Sequence, residues 1–331
     1  MTKIGIIVNP ASGKDIRRLI SHASVIDNSE KINIVERIIL GAQALGVDKV
    51  YMLSDFSKIG YRVKDKLMTR KVLKADIELV ELPYYNSFKD TMNITEFMEN
   101  NNVGCIVTLG GDGTNRALAK VIKDTPIVTI STGTNNVYPV MIEGTIAGMA
   151  AAVAASYKFD KNLYTIKDKR IEIFHDSNLR DIALVDAVIS DETYIASKAI
   201  WDMENIQKIF VTRSHPASIG FSSIVGCKKI VTPQDDFGAF LNVNTSENFV
   251  IAPVSAGVLE KVFVDEPLIL GIEEEYEFTA AERGTIALDG EKEVEFSPED
   301  KFIFKITRNG PYHVDVVKAL EVAQLGGFLN E

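Results

Sequence analysis

Gly110-Gly111-Asp112-Gly113-Thr114 stands where a short apolar run, Cys105–Leu109, gives way to Ala117, Leu118, Val121 and Ile122 at helical spacing. The run has the look of a strand buried on both faces of a parallel sheet, and Thr114 can cap the helix that follows. Glycines without Cβ atoms let backbone N–H groups approach phosphate oxygens, and a helix start adds partial positive charge where a polyphosphate is negative. One carboxylate among three glycines therefore reads as a phosphate-handling loop. Asp112 then either accepts the proton of an attacking hydroxyl or helps hold magnesium against the phosphates. The plain alternative is a tight turn in which Asp112 only bonds backbone donors.

Outward from this stretch, residues 1–156 alternate apolar strands with amphipathic helices, the pattern of a doubly wound, mostly parallel sheet. The expected strands are Ile4–Val8, Lys49–Leu53, Ile77–Glu81, Cys105–Leu109 and Ile127–Ser131. Ile32, Val35, Ile38, Ile39, Ala42 and Leu45 form one helical core stripe, started by Ser29 and stopped by Gly46, and Phe56, Ile59, Val63 and Leu67 form another. Residues 157–310 change texture to short alternating segments separated by turn residues, which predicts a second, mostly antiparallel β-sandwich domain. Among its expected strands are Ile182–Ile189 and Lys228–Val231. Residues 311–331 carry Val317, Leu320 and Val322 and are expected to return to the first domain as a helix.

The 331 residues are 46% hydrophobic and 25% charged, ordinary for a globular protein and no case for disorder. A net charge of −10 argues against a general nucleic-acid binder. An acidic protein that binds nucleotide must create positive potential locally, from backbone amides, magnesium and a few basic side chains. The two thiols, Cys105 and Cys227, give neither a disulfide framework nor a CxxC metal signature and fit a reducing cytosol. No secretory leader precedes Ile4–Val8, and Ile146–Ala155 is too short to span a bilayer, so a cytoplasmic protein without a membrane partner is expected. Histidines 22, 175, 215 and 313 lack metal-ligand spacing, no GxSxG elbow occurs, and Trp201 reads as packing.

Two further loops follow strands: Asn9-Pro10-Ala11-Ser12-Gly13 and Thr132-Gly133-Thr134-Asn135-Asn136. In a parallel sheet both would join the Asp112 loop at the carboxyl edge, where such sheets bind ligands. The first is not a Walker A motif, which would need glycine at Val8 and Ser or Thr at Asp15, so it is either a turn or a phosphate contact, with Lys14, Arg17 and Arg18 in reach. The second offers amides and hydroxyls to a ribose, a hydroxyl substrate or a phosphate, or is merely a turn. Asp289-Gly290 between two expected strands signals a hairpin. Asp186, in an otherwise apolar strand, needs a partner or a ligand if it points inward.

These residues resemble the NAD kinase and diacylglycerol kinase superfamily, and within it the NAD kinase-like family of acetoin-catabolism protein X. GGDGT at Gly110–Thr114 is the specific element; the NPxSG loop, the strand ALVDAV carrying Asp186, PASIGFSSI at Pro216–Ile224, IAPVSAG at Ile251–Gly257 and LDGE at Leu288–Glu291 match in order. The resemblance implies an ATP-dependent kinase in which Asp112 activates a substrate hydroxyl, NAD being the leading acceptor and NADP the product. It implies ATP or phosphate contacts at Asn9, Ser12, Gly13, Gly110, Gly111, Gly113 and Thr114, with magnesium held through the phosphates. Substrate contacts are implied at Thr132, Gly133, Thr134, Asn135, Asn136, Asp186, Ser218, Gly220 and Ser222, with Asp289 and Glu291 as secondary candidates. A homo-oligomer is implied on the same ground. The chain departs from NAD kinases where Val185 replaces the amide of their Asn-Glu pair, while TGTNN at 132–136 and Glu291 are closer to lipid kinases. Another hydroxyl acceptor, a small diol or a lipid, and a nucleotide-binding regulator without turnover are the alternatives.

Overall fold

A computed structural model describes residues 1–12, 26–191 and 203–330. Its first sheet is built from β1 (Lys3–Val8), β2 (Lys49–Leu53), β3 (Asp76–Val80), β4 (Cys105–Gly110) and β5 (Ile127–Ser131), all paired in parallel in the order β3-β2-β1-β4-β5. Helices α1 (Asn28–Ala44), α2 (Ile59–Thr69), α3 (Phe88–Asn100), α4 (Asp112–Ala119) and α5 (Gly144–Ala155) cover it. Side chains of each strand alternate between the two faces. Ile4, Ile6, Val50, Met52, Cys105, Val107 and Leu109 therefore pack in one core with α1, α2 and α5. Ile7, Tyr51 and Ile106 enter the other with α3 and α4. Glycine lets α1 and α5 touch closely, since a Cβ on Gly148 would stand 2.1 Å from the Ile38 carbonyl oxygen.

After β6 (Thr165–Lys167) the chain builds β7 (Arg170–His175), β8 (Asn178–Ala183), β9 (Asp186–Ser190), β10 (Ile206–Val211) and α6 (Phe221–Gly226). It continues through β11 (Phe237–Asn242), β12 (Phe249–Ser255), β13 (Val258–Phe263), β14 (Leu268–Gly271), β15 (Glu275–Thr279), β16 (Gly284–Leu288), β17 (Glu291–Phe296) and β18 (Lys301–Thr307). A six-stranded antiparallel sheet, β14-β11-β10-β9-β16-β17, faces a four-stranded one, β15-β18-β7-β8, across a core of Ile171, Phe210, Ile286, Phe302 and Phe304. The other face of the larger sheet is covered by α6 and the β12–β13 hairpin. The fold is thus the expected pair: a doubly wound parallel sheet followed by an antiparallel sandwich. The last segment, β19 (Tyr312–Val314) and α7 (Val316–Leu325), returns to the first sheet, where β19 lies between β5 and β6 and α7 packs on α5.

Local details correct the sequence reading. Helix α1 is capped by Asp27, whose carboxylate accepts the Glu30 N–H at 2.8 Å, and not by Ser29. Gly111 takes the cap position of α4, leaving Thr114 inside the helix. Phe56 lies 88% exposed ahead of α2, outside the stripe formed by the buried Ile59, Val63 and Leu67. The expected strand Ile182–Ile189 breaks between Ala183 and Asp186, because the N–H groups of Leu184 and Val185 turn to the Asp289 carboxylate. Lys228–Val231 contributes only a bridge, from Val231 to Ser214.

Candidate functional site

β1, β4 and β5 are neighbours, so the loops that follow them converge at one edge of the sheet and bond one another. The Asn9 amide donates to Thr114 Oγ1 at 2.9 Å, and its oxygen accepts the N–H of Ala11 at 2.9 Å and of Ser12 at 3.2 Å. Thr132 Oγ1 donates to Ser12 Oγ at 2.9 Å, while Asn136 Nδ2 donates to Ser131 Oγ at 2.8 Å. A Cβ on Gly111 would stand 2.7 Å from Asn136 Oδ1, so glycine is what lets the third loop close on the first turn of α4. Beneath the first loop Lys31, 1% exposed on α1, donates from Nζ to the carbonyls of Asn9 and Ser12 at 2.9 Å. A buried ammonium thus carries positive charge under the loop edge. Gly13, Lys14, Arg17, Arg18, His22 and Trp201 lie outside the described residues.

Asp112 opens α4 half-buried. Its Oδ1 accepts the Tyr138 N–H at 2.8 Å, and both oxygens accept the Val137 N–H at 3.1–3.2 Å. These donors orient the carboxylate without sealing it, for Asp112 lines a cavity of about 120 Å³ together with Asn135, Asp186, Gly220, Asp289 and Gly290. Asn135 spans to the second sheet system, accepting the Ala256 N–H at 3.2 Å and donating to Ser255 Oγ at 3.4 Å.

The Asp289-Gly290 turn joins β16 to β17 with positive φ at both residues, 51° and 80°, as a two-residue hairpin of the primed type requires. The Asp289 carboxylate is fully buried and accepts N–H groups from Leu184 at 3.0 Å, Val185 at 2.8 Å and Asp186 at 3.2 Å. Burial pushes its pKa up, against the opposing pull of Arg116 and these N–H donors. Its role is to hold the turn against the broken strand. Arg116, 4% exposed on α4, meets Glu293 at 2.7 Å, Glu291 at 3.5 Å, Asp181 at 3.7 Å and Asp289 at 3.8 Å. Burial works against its charge, but Asp289, Glu293 and Asp181 outweigh it and raise the pKa. Glu291 reaches the start of α4, its Oε1 3.1 Å from where a Cβ on Gly113 would stand.

Of the residues expected to touch substrate, Asp186 and Gly220 share the cavity with Asp112, Gly220 adopting φ +85°. Ser218 instead lines a second cavity, and Ser222 is fully buried within α6. Gly133 and the half-buried Thr134 lie in the loop after β5, where the Gly133 carbonyl accepts Ser131 Oγ–H at 2.7 Å. Val185 is fully buried beside Leu118 and Tyr138 in the core under α4, so its apolar side chain serves packing. Lys31, Arg116 and Tyr138 were not legible as site residues, since a helix lysine, a helix arginine and a tyrosine after a turn carry no local signature. Among the described residues no cluster of three or more His, Cys, Asp or Glu side chains is placed to hold a metal. Asp112 and Asp186 on one cavity fit a cation shared with phosphates, magnesium's habit of binding by one or two carboxylates plus substrate. No helix among the described residues is long and apolar enough to cross a membrane.

Residues 4–157 match the ATP-NAD kinase N-terminal domain, and residues 169–309 the acetoin catabolism protein X C-terminal domain. Acetoin catabolism protein X of Cupriavidus necator is 32% identical across 97% of this chain and 92% of its own. The fold is shared with yeast NADH kinase, solved in complex with NADH, at a TM-score of 0.55 and 15% identity over 100% of this chain and 89% of that one. It is also shared with a diacylglycerol kinase homologue from Bacillus anthracis str. Sterne, at 0.50 and 11% identity over 95% of this chain and 97% of that one. The chain therefore belongs to the acetoin catabolism protein X family, with an N-terminal domain of the ATP-NAD kinase type.

Proposed function

We propose that this protein transfers the γ-phosphoryl group of ATP to an alcohol, with the adenosine ribose 2′-hydroxyl of NAD as the leading acceptor. The observation that carries this reading is the placement of Asp112: on the wall of a cavity, at the start of α4, among loops from three adjacent parallel strands. The N–H groups at the start of α4 face the edge where phosphates would lie, and the glycines leave room for close approach. The Val137 and Tyr138 N–H groups hold the Asp112 carboxylate in place. There it accepts the acceptor's hydroxyl proton while that oxygen bonds to the γ-phosphorus and the bond to the β,γ-bridging oxygen breaks, releasing ADP. Magnesium held through the phosphates, with Asp186 on the same cavity, would supply charge neutralisation while Asp112 takes the proton.

One observation favours a second acceptor class. The enclosed space beside Asp112 is about 120 Å³, well below the roughly 300 Å³ at which drug-sized ligand sites begin, so an acceptor of a few carbons fills it without rearrangement. A small diol or hydroxyketone has that size, and the similar protein from Cupriavidus necator is named for acetoin catabolism. Incubation with [γ-³²P]ATP and a panel of NAD, butane-2,3-diol, acetoin and diacylglycerol separates the readings. Labelled NADP supports the first, a labelled small ester the second. ATP bound with no product from any acceptor sinks both and leaves a nucleotide-binding regulator.

A further inference from the structure

A second cavity, of about 490 Å³, lies on the far side of Val137, which lines both hollows. Its walls are apolar, with Val137, Val140, Ile142, Ile230, Val314 and Val317 among them. Val140, Ile230 and Val317 are 53%, 47% and 66% exposed, so they form an open apolar rim on an otherwise acidic protein.

Its floor is polar and tightly bonded. Asp168, 1% exposed, accepts the Tyr138 hydroxyl at 2.6 Å, an Arg213 N–H at 2.9 Å and contacts His313 Nδ1 at 3.2 Å. His313 Nε2 meets Thr129 Oγ1 at 3.1 Å, and the Arg213 guanidinium lies 4.7 Å over the Tyr138 ring. The volume falls in the range of ordinary small-molecule sites, and apolar walls with a few convergent polar groups are their usual make-up.

Charge decides the class of ligand. Arg213 is already neutralised by Asp168, no lysine lines the cavity among the described residues, and Asp315 adds a second carboxylate. A phosphate or polyanion would find no lysine there and an arginine whose charge Asp168 already balances, whereas the Ser218 and Thr232 hydroxyls can hydrogen-bond a neutral oxygen.

We propose that this cavity is a second ligand site, for an uncharged, mainly apolar molecule carrying a carbonyl or hydroxyl group. It is linked to the transfer site by Tyr138, which bonds Asp168 through its hydroxyl at 2.6 Å and Asp112 through its N–H at 2.8 Å. The binding half of the proposal stands apart from the kinase reading.

Cyclohexanone, a neutral ring with one carbonyl, is the probe, titrated into the full-length protein by NMR of backbone amides. We expect saturable shifts at residues lining the second cavity with a dissociation constant of roughly millimolar order, as suits so small a ligand. Affinity should fall at least tenfold in Val140→Trp, which fills the mouth, and in Val317→Asp on another wall, with thermal melting of both variants unchanged. Cyclohexyl phosphate should bind at least tenfold more weakly than cyclohexanone. Absence of saturable shifts in the wild type, retention of affinity in both variants, or preference for the phosphate overturns the site. The amides of Gly111 and Gly113, outside this cavity, should shift with the same midpoint. Shifts confined to the lining residues overturn the link to Asp112. No turnover enters these readouts, so failure of the kinase reading is seen separately, in the phosphate-transfer assay.

Discussion

Arg116 on α4 and Glu293 on β17 meet at 2.7 Å, fastening the helix that begins with Asp112 to the hairpin that carries Asp289 and Glu291. The pair is nearly buried and three further carboxylates stand within 4 Å of the same guanidinium, so removing Arg116 strands acids already taken from water. Arg116→Met is expected to cost about 3–5 kcal/mol in urea unfolding. Glu293→Gln, which keeps the cation and most of its partners, should cost under half as much. Equal losses would show that Glu293 alone carries the interaction.

Asp112→Asn keeps the shape of the side chain and one acceptor for the Val137 and Tyr138 N–H groups, but cannot take a proton. Nucleotide affinity should stay within several-fold while the rate of phosphate transfer falls by about 10²–10⁴, the usual worth of a positioned base. Isothermal titration and the labelled-ATP assay read the two quantities separately. A variant that retains most of its rate removes Asp112 from proton transfer and leaves it as a positioning group.

The parts of the site that the sequence makes legible are those in which one short segment carries both the conformational demand and the chemistry. Three glycines around a carboxylate at the end of an apolar run fix the α4 turn, and Asp-Gly between alternating segments fixes a primed hairpin. What could not be read depends on partners 19 or more positions away in the chain. The strand Ile182–Ile189 is broken by Asp289, which draws the N–H groups of Leu184 and Val185 out of the ladder, and periodicity within the segment holds no trace of that. Lys31 reads as one more polar residue of an amphipathic helix until β1 places the Asn9 and Ser12 carbonyls over it. Tyr138 likewise gains its meaning only when β6 and β19 bring Asp168 and His313 to its hydroxyl and ring.

The resemblance to NAD kinases implies an amide at the position of Val185, which invites Val185→Asn as a means of improving NAD use. The structure predicts otherwise. The side chain is fully buried with Ile7, Leu118, Leu184 and Tyr138, so an amide placed there loses water without a ready partner. The variant should lose about 1–3 kcal/mol of stability, read by urea midpoint, with no gain in kcat/KM for NAD. Unchanged stability with a lowered KM for NAD would restore this position as a determinant of acceptor choice.

Asp168 makes the pH dependence of stability testable. Burial works to raise its pKa, yet Arg213, His313 and the Tyr138 hydroxyl outweigh burial and hold it down at about 2. An unfolded aspartate titrates near 3.9, so in the acid range the unfolded chain binds the proton more readily than the folded one. The stabilisation is therefore complete above about pH 5 and is lost as pH falls through the unfolded value towards 2. Asp168→Asn removes the titration and leaves Arg213 without its carboxylate, so the variant is less stable at pH 5. The gap between wild type and variant should then narrow by about 1 kcal/mol on going from pH 5 to pH 3 in urea unfolding. A gap that stays constant over this range would mean that Asp168 titrates alike in both states, and that Arg213 and His313 do no more than balance the cost of burying it.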